Sequence, residues 1–268
     1  MRGKHVGKRR CPAEPPRRGL GGAGGLLALA LAFASAAAEA GPPFRTDDPE
    51  PVELGHWEVY GFSAGTHVQG DTAGTLPGLE VNYGALPNLQ LHVVAPIAFD
   101  RPEGSGTRFG YGDTELGVKY RFVAEDEDGW RPQIGIFPLL EAPTGDAHRN
   151  LGAGHAREFF PLWLQKNFGR WLTYGGGGYW NNPGGGNKNY WFFGWLLQRQ
   201  VTDDLALGGE IFHQTADTVG GESSTGFNLG GIYDFSDQYH LLFSAGRGIG
   251  HATSSNELSY YLALQWTF

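Results

Sequence analysis

Asp113-Thr114-Glu115-Leu116-Gly117-Val118-Lys119-Tyr120-Arg121-Phe122 separates by parity into two faces that cannot share one solvent. Successive side chains of a strand point to opposite sides. Asp113, Glu115, Gly117, Lys119 and Arg121 therefore share one face, and Thr114, Leu116, Val118, Tyr120 and Phe122 share the other. In water the apolar face would turn inward. In lipid it turns outward and leaves the ionic face to a barrel lumen.

The same alternation continues in both directions. Leu79-Glu80-Val81-Asn82-Tyr83 and Leu89-Gln90-Leu91-His92-Val93 alternate upstream. Downstream, Tyr260, Leu262, Leu264, Trp266 and Phe268 fall on one face of the last segment. Helix caps and a 3.6-residue period are hard to find. The pattern predicts an all-β, up-and-down antiparallel transmembrane barrel of about twelve strands: 55–66, 78–85, 89–98, 111–122, 131–142, 157–168, 171–181, 189–200, 205–215, 224–235, 239–247 and 257–268. Short connections (86–88, 125–129, 169–170, 201–204, 236–238) are expected to alternate strictly with long ones (67–77, 99–110, 143–156, 182–188, 216–223, 248–256). An even strand number puts both chain ends on the short-turn side, and the last strand must then close against the one beginning near Gly55. Tyr260, Trp266 and Phe268 form the carboxy-terminal aromatic signature expected to be read by barrel-assembly machinery. Trp57, Tyr120, Trp171, Trp195 and Tyr239 lie near strand ends, where aromatic girdles belong.

The first forty residues differ in kind. Seven Lys or Arg, a small-residue and leucine run from Leu20 to Ala34, and Ala38-Glu39-Ala40 predict a secretory signal peptide, cleaved after Ala40. Residues 41–268 then lack both the single Cys and the single Met, which excludes disulfides, thiolate metal sites and a cysteine nucleophile. They carry 13 positive and 26 negative charges, a net of −13, an imbalance that argues against nucleic acid as a partner.

Several stretches resemble the outer-membrane protein family linked to the meta-cleavage pathway of phenol degradation. They are Pro42-Pro43-Phe44-Arg45-Thr46-Asp47-Asp48, Gly55-His56-Trp57-Glu58 and, most specifically, Gly110-Tyr111-Gly112-Asp113-Thr114-Glu115-Leu116-Gly117-Val118-Lys119-Tyr120. Glu141-Ala142-Pro143-Thr144-Gly145, Gly175 to Tyr179 and Leu207-Gly208-Gly209-Glu210 are similar as well. The resemblance implies an outer-membrane location and uptake of aromatic compounds, and supplies no catalytic or ligand residues.

With ionic faces inward, the expected lumen lining is Glu58, Glu80, His92, Asp113, Glu115, Lys119, Arg121, Glu141, Glu210 and Asp234. An acidic excess of this kind disfavours anions; the same charges, if paired, would instead rigidify a narrow barrel. Gly84, Gly117, Gly135, Gly194, Gly208, Gly230 and Gly246 share the inward parity and either leave room for a solute or relieve crowding. Phe137, Leu139, Phe192 and Phe212, also inward, either narrow the bore or form a track for an aromatic ring. The segment 41–54 precedes the first strand. It is expected to hang free in the periplasm, with a lumenal plug as the alternative.

The functional expectation is a narrow, passive channel for small neutral or hydrophobic solutes, with outer-membrane lipids as surroundings and no cofactor. One competitor is a closed structural or surface-binding barrel. The other is a lipid hydrolase built on outward-facing His213 with Ser223 or Ser224, although no nucleophile context such as Gly-x-Ser-x-Gly accompanies them. His148, His155 and His251 lie in expected loops without metal-motif spacing.

Overall fold

Twelve antiparallel staves close on themselves in a computed structural model that describes residues 42–126 and 129–268. The predicted signal peptide and its cleavage site lie outside the described residues. In chain order the staves are β1 (Trp57–Val68), β2 (Asp71–Leu86), β3 (Leu89–Pro102) and β4, which is interrupted (Arg108–Tyr111 and Thr114–Val123). The fifth, β5, is also interrupted (Gln133–Ile136 and Leu139–Ala142), followed by β6 (Arg157–Phe168), β7 (Trp171–Asn181) and β8 (Tyr190–Gln200). Then come β9 (Leu205–Gln214), β10 (Ser224–Asp234), β11 (Tyr239–Gly250) and β12 (Leu258–Thr267).

Each stave pairs with its chain neighbours, and β1 pairs with β12 from Glu58 opposite Thr267 to His67 opposite Leu258. The seam is finished by Trp57 N donating to Phe268 O at 2.8 Å and Phe268 N donating to Trp57 O at 3.0 Å. Closure leaves no free edge stave: each stave pairs with a neighbour on both sides, with Arg108–Tyr111 of β4 paired on one side alone.

Parity sorts the side chains as expected. Leu116, Val118, Tyr120 and Phe122 are exposed on the outer wall, while Glu115 and Lys119 are buried within. Leu79, Leu91, Phe160, Trp195, Ile211, Leu229 and Leu264 extend the apolar exterior around the barrel.

The strict alternation of long and short connections is not observed. Residues 67–77 are not a loop: β1 and β2 continue to a two-residue turn at Gln69 and Gly70, where Gly70 takes φ +86°. Pro77 sits at a register shift between Thr75 and Gly78. A residue without an N–H is tolerated at such a bulge. Likewise β3 and β4 pair up to Asp100 opposite Arg108, which shortens the 99–110 loop to 103–107. At the other barrel end, the connection 124–132 is longer than expected. The loop 143–156 folds inward over the loop-end mouth, burying Leu151 and placing Asn150 Nδ2 2.6 Å from Asp100 Oδ1.

Candidate functional site

The lumen is already occupied. Residues 42–54 do not hang free; they run inside the barrel from the turn end, where Leu54 bridges to Gly84, up to Pro43, whose carbonyl accepts from Ser244 Oγ. Val52 N donates to Gln90 Oε1 at 2.9 Å. Glu50 Oε2 accepts from Gln133 Nε2 at 3.1 Å and Gln165 Nε2 at 2.8 Å. Lys119 Nζ donates to Asp47 Oδ1 at 2.9 Å and reaches Asp48 Oδ1 at 3.4 Å. Glu210 accepts from Arg45 N, Thr46 N and Thr46 Oγ1 at 2.8, 2.8 and 2.6 Å. Phe44 packs with Tyr174 and Leu196. A terminus stays disordered when nothing ties it down. Here wall residues of matching chemistry meet Arg45, Thr46, Asp47, Glu50 and Val52, and four prolines, at 42, 43, 49 and 51, stiffen the chain beforehand.

The inward glycines explain how the segment fits. A Cβ on Gly84 would stand 1.9 Å from Glu53 O, one on Gly135 3.0 Å from Pro49 Cβ, and one on Gly194 2.0 Å from Thr46 Oγ1. The room these glycines make is filled by the chain's own amino-terminal segment. Gly117 serves differently, opening space for Leu139 and Phe137.

Around the segment the wall carries a buried polar network. His92 Nδ1 lies 2.7 Å from Asn82 Oδ1 and its Nε2 lies 2.8 Å from Glu115 Oε1, while Glu80 Oε1 accepts from Asn82 Nδ2 at 2.8 Å. With acceptor oxygens on both sides of the ring, either the imidazole carries two protons or Glu115 carries one. Glu115 Oε2 and Asp47 Oδ2 are buried with no hydrogen-bond partner. Glu141 is paired with Arg157, whose guanidinium lies 5.5 Å from the Trp180 ring. Toward the loop end, Phe137, Leu139, Phe159, Trp163, Trp180, Tyr190, Phe192 and Phe212 pack into one cluster. The four inward apolar residues singled out in the sequence therefore narrow the bore. A cavity of about 280 Å³ persists beside the segment, reached by Glu58, Glu80, Gln90, His92, Lys119 and Gln265.

Of the ten expected lumen residues, the structure gathers Glu80, His92, Glu115, Lys119, Glu141 and Glu210 in the buried interior. Glu58 pairs with Tyr60 Oη at 2.7 Å. Arg121 reaches Asn88 Oδ1 at 2.8 Å and Gln133 Oε1 at 3.1 Å, and Asp234 meets His240 Nδ1 at 2.6 Å. Asp113 is half-buried near the loop-end mouth. It sits in the gap of β4 and accepts from Gly145 N at 2.9 Å and Ala153 N at 2.6 Å, so it anchors the 143–156 loop.

Arg157 was not singled out, although it stands at inward parity on a predicted strand beside the one that carries Glu141. His213 Nδ1 bonds Thr225 Oγ1 at 2.8 Å, with no serine hydroxyl in that contact. His155 lies near Asn182 and Asn187, and His251 near Ser223 O, so these loop histidines keep separate partners. Tyr260, Trp266 and Phe268 face outward, with Trp266 4.2 Å from the Phe268 ring and 6.4 Å from Tyr239.

Comparison with known proteins gives one family. Residues 59–265 match the family described as "Putative MetA-pathway of phenol degradation". Among solved structures, an outer membrane channel from Pseudomonas putida F1 superposes with a TM-score of 0.64 at 18% identity, covering 82% of this chain and 98% of that one. The NanC porin superposes with a TM-score of 0.50 at 8% identity, covering 79% and 98%. At these identities the likeness is one of fold. No curated protein sequence matches the chain.

Proposed function

Because this chain belongs to the family described as "Putative MetA-pathway of phenol degradation", we propose that it is an outer-membrane channel, narrow and passive, for small neutral or hydrophobic solutes, aromatic ones among them. The observation that carries this reading is that a segment separate from the wall closes the bore. Inward glycines make room for it, and side-chain contacts hold it there. A barrel that served only as a structural cylinder would fill its core from its own staves.

The apolar exterior and the two barrel relatives, one a channel and one a porin, support a membrane setting and a conducting role. Conduction requires the segment to shift, since the space left beside it is about 280 Å³ and is lined by the buried Lys119–Asp47 ion pair that holds the segment. The acidic excess of the wall favours neutral over anionic solutes. Flux through such a channel follows the solute gradient.

Planar-bilayer recording tests the reading. The native protein should open rarely, and a Lys119→Met variant, which loses the grip on Asp47, should open far more often. A second reading, a permanently closed barrel, draws on the packed aromatic cluster of the loop-end half. Silence of both proteins at the level of bare lipid would favour it and defeat the channel.

A further inference from the structure

Arg45 is the only cation between residues 42 and 54, and it is held by more than charge. Its guanidinium carbon lies 4.5 Å from the centroid of the Phe212 ring and 5.3 Å from that of Phe192. Its Nη2 reaches Gln214 Oε1 at 3.4 Å, and its backbone N donates to Glu210 Oε1 at 2.8 Å. Asp217, in the loop after β9, adds negative field from the loop end. Burial pushes its carboxyl above the ordinary range, while Arg157 and Arg45 are among the groups that draw it back.

Two ring faces and an amide oxygen surround the guanidinium, and the buried Glu210 carboxylate, which holds the backbone beside it, adds negative field. This is the chemistry that recognises an organic cation, because the aromatic quadrupole attracts positive charge most strongly where water is excluded. The cage belongs to the wall. Phe192 and Phe212 stand on adjacent staves, with Phe192 opposite Gln214 and Gly194 opposite Phe212, so the cage remains when the segment leaves. Glu210 keeps the Asn228 Nδ2 contact at 2.6 Å, which orients its carboxylate independently of the segment.

We propose that Phe192, Phe212, Glu210 and Gln214 form a binding site for a small organic cation of the guanidinium or ammonium type, occupied by Arg45 in the closed barrel. Such a ligand and the Arg45 side chain exclude each other. Binding therefore favours the arrangement in which the segment has loosened, by the difference in affinity between the two arrangements.

The test is calorimetric titration of the full-length protein in detergent micelles with ethylguanidinium, and with ethylurea as its uncharged counterpart. Micelles read binding independently of conduction. Arg45→Ala, which empties the cage, should bind ethylguanidinium at least about tenfold more tightly than the native protein. Adding Glu210→Gln or Phe212→Leu to that variant should abolish the gain, and ethylurea should show none. Heat-modifiable migration on a gel verifies folding; if Arg45→Ala fails that check, Arg45→Gln carries the same expectation. Equal affinity of native and variant protein for ethylguanidinium, absence of binding to a folded variant, or equal binding of ethylurea would each overturn the proposal.

Discussion

The Thr46 hydroxyl occupies the place where a side chain on Gly194 would begin, 2.0 Å from an ideal Cβ there. That hydroxyl also donates to Glu210 Oε2 at 2.6 Å, so one wall position yields volume while another supplies the bond. Gly194→Ala should therefore act on the segment rather than on the wall. Overpacking of this kind costs roughly 1–3 kcal/mol. The expected outcome is a barrel that still migrates as folded, with residues 42–54 cut faster by trypsin at Arg45. Unchanged cleavage would mean that the segment yields without leaving.

Lys119 and Asp47 form a buried ion pair whose second carboxylate oxygen has no partner. Removing the cation alone strands the carboxylate at a cost of about 3–5 kcal/mol, whereas removing both charges is far milder. Lys119→Met should release the segment, and Lys119→Met with Asp47→Leu should restore much of its docking. Protease protection of residues 42–54 across this double-mutant cycle measures the coupling; strict additivity would show that the pair holds nothing.

Phe268 closes the seam with two backbone bonds to Trp57, and its ring lies against Trp266. Deleting it should leave little heat-modifiable barrel in the membrane fraction and more unfolded chain outside it. Normal yield of the folded form would refute its part in assembly.

Glu125 lies in a turn beyond the staves. Its partial burial would raise its pKa, but bonds from Lys166 Nζ and from Asn167 N and Nδ2 outweigh that and hold it below the ordinary 4.5. A lowered carboxyl stabilises the fold above the unfolded-state value, and that contribution is lost as the pH falls through the folded value. Exchange of the Asn167 amide hydrogen should therefore accelerate as the pH drops below about 4.5, after correction for intrinsic rates. Glu125→Gln should flatten this dependence; an identical profile in both proteins would sink the assignment.

The parts legible in the sequence are those that depend on near neighbours. Period-two alternation from Asp113 to Phe122 assigns inside and outside because each side chain's direction follows from the one before it. The even stave count then brings Phe268 to Trp57. The expected start of β2 at residue 78 falls short because pairing continues through the bulge between Thr75 and Gly78 down to Asp71, which alternation alone does not show. Parity does not register that Asp113 stands in a gap beside Gly112 and spends its carboxylate on Gly145 N and Ala153 N of the neighbouring loop. The filling of the bore depends on Thr46 finding Glu210, and no local pattern relates residues 164 positions apart. The inward glycines carried the clue, since they recorded a space without naming its occupant.

That separation in sequence bears on how the molecule is made. The segment's bonds to Glu210 and Ser244 span 164 to 201 residues, nearly as long-range as the seam itself. Contacts that close such large loops of chain are entropically the most costly and form late, after the successive hairpins have zipped. Docking also needs a wall that exists, since its partners are spread over β2 to β11. The segment's docking site is therefore complete only once the wall from β2 to β11 has formed.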